Sequence, residues 1–196
     1  SAPLATGLQR IVEGAQSRGG RTDQHRHVAR LVLISAHLHM RLGDVFPREH
    51  LRHAWIDPAF KAELLADAGK ASRDMGFDIG PMNLIAVENT ENTHNVIVCT
   101  LCSCYPRNLL GLPPDWYKSR AYRSRTVKEP RKVLSEFGVT LAKGTRIRVH
   151  DSTADMRYVV IPARPSGAGH MSEPELAQLV TRDSMIGTGL AQPPST

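Results

Sequence analysis

Val98-Cys99-Thr100-Leu101-Cys102-Ser103-Cys104 holds all three cysteines of the 196-residue chain, in the spacing C-x-x-C-x-C. An odd number cannot close into disulfides within one chain, and a disulfide scaffold would spread its cysteines along the sequence. Clustering therefore points to chemistry. Structural zinc needs four ligands, usually from two knuckles far apart in sequence. There is no second cysteine pair, so a zinc site here would be Cys3His, completed by His94. A redox C-x-x-C leaves the third thiol without a role. The C-x-C half offers something else. Closing the thiolates of Cys102 and Cys104 on one ion pulls the intervening backbone against it, and the amides of Ser103 and Cys104 come within reach. A deprotonated amide is a strong-field ligand that suits a small trivalent ion and suits zinc poorly, since softness and geometry select the metal. Three sulfurs and two backbone nitrogens leave a sixth position open, as a Lewis-acid catalyst requires.

Outward from the cluster the chain alternates strands and helices. Leu84-Ile85-Ala86-Val87 and Asn95-Val96-Ile97-Val98 are short apolar runs bounded by Asn, Thr and Glu, and read as strands. Pro113-Pro114-Asp115-Trp116 opens a short helix, and Glu129-Pro130 starts another through Val133-Leu134 to Gly138. Arg146-Ile147-Arg148-Val149 and Met156-Arg157-Tyr158-Val159-Val160-Ile161 read as strands, the second fully buried. A loop follows from Pro162 to Gly169. Ser172 caps a helix covering Leu176, Leu179 and Val180, with Glu175 three residues on. Gly187 to Thr196 is small and Pro-rich, a tail that frays or drapes over a partner. Towards the N-terminus, Asp57-Pro58 starts a helix running to Met75-Gly76. Apolar spacing over Leu8 to Ala15 and over His27 to Leu42 reads as two further helices, separated by Arg18-Gly19-Gly20-Arg21. The class is α+β: a helical N-terminal segment followed by a layered α/β body.

Composition narrows the function. Hydrophobic residues make up 41% of the chain and charged residues 22%, enough for a core and unlike a disordered chain. No run approaches the roughly 18 apolar residues that cross a bilayer. Ser1-Ala2-Pro3-Leu4 lacks a basic stretch followed by an apolar one, so a soluble, cytoplasmic protein without membrane contact is expected. The net charge of +6 invites a nucleic-acid reading. The basic residues are scattered, however, and aromatics are only 5%, too few for base stacking. A basic face that meets an acidic partner subunit, or a merely solvated face, accounts for the charge. The histidines read as solvated rather than catalytic.

The cysteine string resembles the cobalt signature of nitrile hydratase α subunits, in which Thr follows the first cysteine; iron-type members usually carry Ser there. The resemblance extends from Ala54-Trp55-Ile56-Asp57-Pro58 to Met185-Ile186-Gly187. It takes in Val87-Glu88-Asn89-Thr90, Leu110-Gly111-Leu112-Pro113-Pro114, Trp116-Tyr117-Lys118, Tyr122-Arg123-Ser124-Arg125, Glu129-Pro130-Arg131, Arg157-Tyr158, Arg164-Pro165 and Leu179-Val180-Thr181-Arg182. It implies residues 1–53 as a helical N-terminal segment, 54–187 as the catalytic domain of the nitrile hydratase α type, and 188–196 as a tail.

The resemblance implies one non-corrin Co(III) ion per chain, held by the sulfurs of Cys99, Cys102 and Cys104 and the amides of Ser103 and Cys104. Cys102 is oxidised to sulfinate and Cys104 to sulfenate in such proteins, rungs of the thiol oxidation ladder. Hydrogen bonds from two arginines of the β subunit, present as one chain or split into two, steady those oxygens. The implied reaction is hydration of a small-molecule nitrile to its amide, with the Cys104 sulfenate as candidate nucleophile or base and Ser103 hydrogen-bonding near the metal. Tyr105 supports the ligand loop or the pocket, or simply packs. Asp151 and Asp155 stand where the family has an Asp and usually a Glu, behind the ligands or against the β subunit; Asp155 is one methylene shorter than Glu. Arg157 matches a family arginine or forms a surface ion pair. The chain departs from the family at Arg107, where cobalt-type members usually have Trp, and at Met82-Asn83, which replaces a family Gln. Arg107 resembles the cobalt-bearing subunit of the sister enzyme thiocyanate hydrolase, and a cation there favours an anion. It equally suits a polar nitrile, such as the cyano-nucleoside of toyocamycin nitrile hydratase, or an ion pair with a partner subunit. A metal-carrying protein without catalysis is the remaining alternative.

Overall fold

The computed structural model describes residue 48 and residues 51–194. The two helices expected between residues 8 and 42, and with them most of the helical N-terminal segment, lie outside the described residues. Residues 51–56 are helical. Asp57 then caps α1 (Pro58–Ala66), its carboxylate accepting from the N–H groups of Ala59 at 2.8 Å and Phe60 at 3.1 Å. Pro58 occupies the first turn, where the missing N–H costs nothing. The single helix expected as far as Gly76 is in fact two. Asp67 leaves helical geometry at φ −150° and caps α2 (Ala68–Asp74), accepting from Lys70 N–H at 2.8 Å. A short acidic side chain competes with the helix for backbone donors, an effect that apolar spacing does not register.

The strands form two parallel pairs. β1 (Asn83–Glu88) pairs with β4 (Met156–Ile161), and β2 (Thr93–Val98) pairs with β3 (Arg146–Asp151). β1 turns into β2 through a Thr90–Thr93 bridge, and β2 lies against both β1 and β4. Both pairs share one core, built on Leu84, Ala86, Ile97, Val98, Val160 and Ile161. Each of the Leu, Ile and Val side chains taken fully from water contributes about 1.5–3 kcal/mol. β4 is buried only from Val159 onward; Met156, Arg157 and Tyr158 are half-exposed, so the expectation of a fully buried strand holds for its second half alone.

Four short helices lie between β2 and β3, the two strands of one pair: α3 (Arg107–Leu110), α4 (Asp115–Lys118), α5 (Arg120–Lys128) and α6 (Pro130–Glu136). The helix expected at Asp115 ends after one turn because Ser119 turns extended and caps α5, accepting from Tyr122 N–H at 3.1 Å. α5 packs on β2 and α6 on β3. Near the C-terminus, α7 (Glu173–Leu179) opens with the expected capping box: Glu175 accepts from Ser172 N–H at 2.8 Å. α8 (Arg182–Ile186), which the apolar pattern does not suggest, packs on β4. The tail is not frayed at its start. Thr188 is buried, and Gln192 N–H donates to the Leu179 carbonyl at 2.8 Å.

A buried polar seam ties these parts together. Asn89 Oδ1 accepts from Asn95 N–H at 2.7 Å and from Asn95 Nδ2 at 2.9 Å. His150 Nε2 donates to Asn95 Oδ1 at 2.8 Å. His94 Nε2 donates to the Gly187 carbonyl at 2.7 Å, and Asn89 Nδ2 faces its Nδ1 at 3.3 Å, partners that fix the tautomer. His94 is only 3% exposed, so it is a core residue rather than the solvated one expected. Gly187 makes this closure possible. At φ +86° it brings its backbone so near β2 that a Cβ would overlap the Asn95 carbonyl oxygen.

Candidate metal centre

β2 and β3 end in register, with Val98 opposite Asp151, and Ser152 N–H donates to the Val98 carbonyl at 2.7 Å. The cysteine loop springs from this shared end. Asp151 grips its first turn, accepting from Thr100 N–H at 2.9 Å and from the Thr100 hydroxyl at 2.6 Å. Tyr122, buried on α5, donates to the Ile97 carbonyl at 2.6 Å, just before the loop. Tyr117, fully buried on α4, donates to the Cys104 carbonyl at 2.9 Å, just behind it. Both tyrosines are set by an aromatic cluster in which Trp116 meets Tyr122 edge-on at 4.9 Å and Phe137 at 4.7 Å. Such pairs add about 0.5–1.5 kcal/mol beyond area burial.

Three sulfurs converge inside the loop. Cys102 Sγ lies 3.7 Å from Cys99 Sγ and 2.9 Å from Cys104 Sγ, and all three lie within 4.8 Å of one another. Between Cys102 and Cys104 the backbone reverses at Ser103, whose φ of +75° is left-handed. At metal–sulfur lengths of about 2.3 Å one ion can touch all three sulfurs. Among the described residues no further histidine, cysteine or carboxylate joins the cluster. His94, the candidate fourth ligand for zinc, has both ring nitrogens engaged elsewhere. Cys99 is fully buried, Cys104 half-buried and Cys102 exposed.

The thiols are electrostatically unequal. Burial pushes Cys99 up, yet N–H donors from Cys102, Cys104 and Leu101 outweigh it and bring it to about 7. Cys104 is pushed up to about 12 by burial, by its hydrogen bond with Cys102 and by the charge of Cys99; Arg157 nearby pulls the other way. Metal ligation needs thiolates, so the loop presents one ready sulfur and one that an ion must deprotonate.

Of the residues singled out by sequence, Cys99, Cys102, Ser103 and Cys104 form the loop, Asp151 holds it, and the charge of Arg157 is felt at Cys104. Arg157 also donates to the Thr153 and Met156 carbonyls rather than to a carboxylate. Tyr105 is 3% exposed and meets Tyr117 edge-on at 5.1 Å, behind the loop in the core. Arg107 opens α3 at the edge of a shallow depression of about 410 Å³, shared with Asn108, Gly111 and Leu112. Asp155 stands apart: it is exposed, and its backbone carbonyl takes the Asn83 N–H at 2.9 Å. Sequence reasoning missed Tyr117, Tyr122 and Arg123 as loop supports. One signal was available: two of the chain's four tyrosines, 117 and 122, crowd into an otherwise polar stretch.

The chain matches the family model for nitrile hydratase, alpha chain, over residues 24–189. It belongs to that family. The low-molecular-weight cobalt-containing nitrile hydratase subunit alpha of Rhodococcus rhodochrous is 52% identical over 157 residues, covering 79% of this chain and 75% of the relative. The cobalt-containing subunit alpha of Pseudonocardia thermophila is 53% identical over 159 residues, covering 75% and 77% respectively. Thiocyanate hydrolase subunit gamma of Thiobacillus thioparus is similar at 41% over 164 residues, covering 78% of this chain and 68% of the relative. Among solved structures, a double mutant of the Fe-type nitrile hydratase from Comamonas testosteroni Ni1 superposes with TM-score 0.73 at 37% identity, covering 90% of this chain and 94% of that one. A recombinant thiocyanate hydrolase with partially modified cobalt centres gives 0.75 at 34% identity, covering 98% and 92%.

Proposed function

We propose that this chain is the cobalt-binding catalytic α subunit of a nitrile hydratase, with residues 54–187 as its catalytic domain, and that it hydrates a nitrile to the corresponding amide. The observation that carries this reading is the convergence of three thiols within 4.8 Å around a left-handed Ser103. Cys99, Cys102 and Cys104 would hold one cobalt ion through sulfur, with the amides of Ser103 and Cys104 alongside. The ion supplies a Lewis acid at a strong-field, sulfur-rich site. Asp151, Tyr117 and Tyr122 keep the loop in shape, so that little ordering remains when metal and substrate bind. Cys102 would be carried as sulfinate and Cys104 as sulfenate. The Cys104 sulfenate oxygen would then take a proton from water or attack the nitrile carbon, and the charge of Arg157 counters the burial and the neighbouring cysteines that disfavour an anion at Cys104. The oxidised sulfurs need donors beyond this chain, which points to a β subunit, as one chain or two. Exposed Leu101 on the cysteine loop and exposed Leu112 in the depression offer that subunit apolar contacts. The unpaired cysteines fit a reducing compartment, the cytoplasm.

The test is co-expression with the β partner and cobalt. About one cobalt per chain and amide release from a nitrile are expected, and Cys102→Ser should empty the site. Cobalt near zero in the unmutated complex overturns the assignment. A second reading, the cobalt-bearing subunit of a thiocyanate hydrolase, draws on Arg107, three positions after Cys104 and on the wall of the depression. Release of carbonyl sulfide from thiocyanate in place of amide from nitrile would select it, and Arg107→Trp should then abolish that turnover.

A further inference from the structure

Arg123 on α5 is half-buried and is not spent on the carboxylates nearest it along the helices. Glu129 and Glu136 both pair with Arg125. Its Nε is buried without a hydrogen bond among the described residues. Its Nη1 instead donates to the Leu101 carbonyl at 3.0 Å and reaches the Thr100 carbonyl at 3.5 Å. These carbonyls belong to the cysteine loop. The Leu101 side chain is 83% exposed, so packing does little to orient this stretch.

The geometry of one peptide unit links the arginine to a sulfur. The Leu101–Cys102 peptide is trans, so its C=O and N–H point in opposite directions. With the carbonyl drawn to Arg123, the Cys102 N–H turns inward and donates to Cys99 Sγ at 3.3 Å. A cation on the carbonyl also polarises the amide and strengthens what its N–H donates. Asp151 pins the preceding peptide from the other side through Thr100 N–H. We propose that Arg123 is a positioning residue: it sets the Leu101–Cys102 peptide so that the Cys102 N–H donates to Cys99 Sγ and tunes the electron density this sulfur gives a metal ion. The metal half of this statement rests on the cobalt reading above; the peptide half does not. Hydrogen bonds to a ligating sulfur draw charge from it, a recognised lever on metal electronics.

The test compares the full chain as wild type, Arg123→Met and Arg123→Lys, assembled with its partner and cobalt and also metal-free. Two readouts are followed: backbone amide exchange across residues 100–104, and the sulfur-to-metal charge-transfer absorption. Arg123→Met should speed exchange at Cys102 roughly tenfold, the equivalent of about 1.4 kcal/mol, and should shift the absorption at unchanged cobalt content. Arg123→Lys, which can still donate to the Leu101 carbonyl, should restore most of both. Unchanged Cys102 exchange in Arg123→Met overturns the proposal. If that variant fails to fold, Arg123→Gln takes its place, and wild-type exchange and absorption there overturn the proposal equally. A wild-type complex without cobalt would sink the functional reading, while the metal-free exchange comparison would still decide the role of Arg123.

Discussion

Gly187→Ala is the most exacting perturbation of this fold. The residue sits at φ +86°, where a side chain costs about 1–2 kcal/mol of local strain. Its added Cβ would overlap the Asn95 carbonyl oxygen and come within 2.8 Å of Val96 Cα, both backbone atoms of β2 that no rotamer change can clear. Pushing α8 away from β2 loosens the core by a further 1–3 kcal/mol or so. It also pulls the Gly187 carbonyl from His94, leaving a buried ring nitrogen unpaired at a cost of about 1–3 kcal/mol. The expected loss is roughly 4 kcal/mol or more, a large share of the about 5–15 kcal/mol that holds a domain. Gly76→Ala is the matched control: its φ is +87°, but nothing lies within 4 Å of the added atom, so only the strain remains. The assay is urea unfolding of the full chain, followed by the fluorescence of Trp55 and Trp116. If Gly187→Ala loses no more stability than Gly76→Ala, the close approach to β2 is not what the glycine provides.

Three further outcomes are expected. Asp151→Ala removes both bonds to Thr100 and, at an exposed site, should cost about 1–2 kcal/mol and lower cobalt per chain; Asp155→Ala should do neither, and equal cobalt in the two variants would contradict the placement of Asp151. Tyr122→Phe removes the donor to Ile97 and should cost about 1–2 kcal/mol in a buried site, read as a lower urea midpoint; an unshifted midpoint would show that the bond contributes nothing. Burial lowers the pKa values of His94 and His150 below 6.5, aided at His150 by the charge of Arg148. The unfolded chain therefore takes up protons near pH 6.5 that the folded chain refuses, so stability is fully present above that pH and falls as pH drops towards the folded values. Unfolding midpoints at pH 7.5 and 5.5 should differ, and His94→Gln should shrink the difference; an undiminished difference would remove His94 from the account.

What could be read from the sequence was what lies close together along it. The three cysteines span six positions, so their convergence follows from their C-x-x-C-x-C spacing. The caps at Asp57 and Ser172 act within three residues, and they stand where expected. The supports of the loop act across distance. Asp151 reaches Thr100 over 51 residues, Tyr122 reaches Ile97 over 25, and Arg123 reaches Leu101 over 22. No periodicity encodes such pairs; they exist because parallel pairing brings the ends of β2 and β3 together and α5 lies across β2. Asp151 was legible only through the resemblance; Asp155, read with it on the same grounds, is exposed and holds no part of the loop among the described residues. The seam around His94 was hidden for a related reason: a histidine flanked by Asn and Thr looks solvated until Gly187, 93 positions away, closes over it.

The uneven burial of the three cysteines has a chemical consequence. A diffusing oxidant such as peroxide, arriving from solvent, meets Cys102 first and Cys104 next. Cys99, at 0% exposure, is out of reach unless the loop opens. Between Cys99 and Cys104, thiolate character alone would make Cys99 the first to react, since burial and its neighbours push Cys104 up while backbone donors bring Cys99 down. Access therefore opposes intrinsic reactivity, and the shape of the loop decides which sulfurs can gain oxygen and which stays a plain thiolate. Oxidation of this loop would therefore favour Cys102 and Cys104 and spare Cys99, a regioselectivity set by burial.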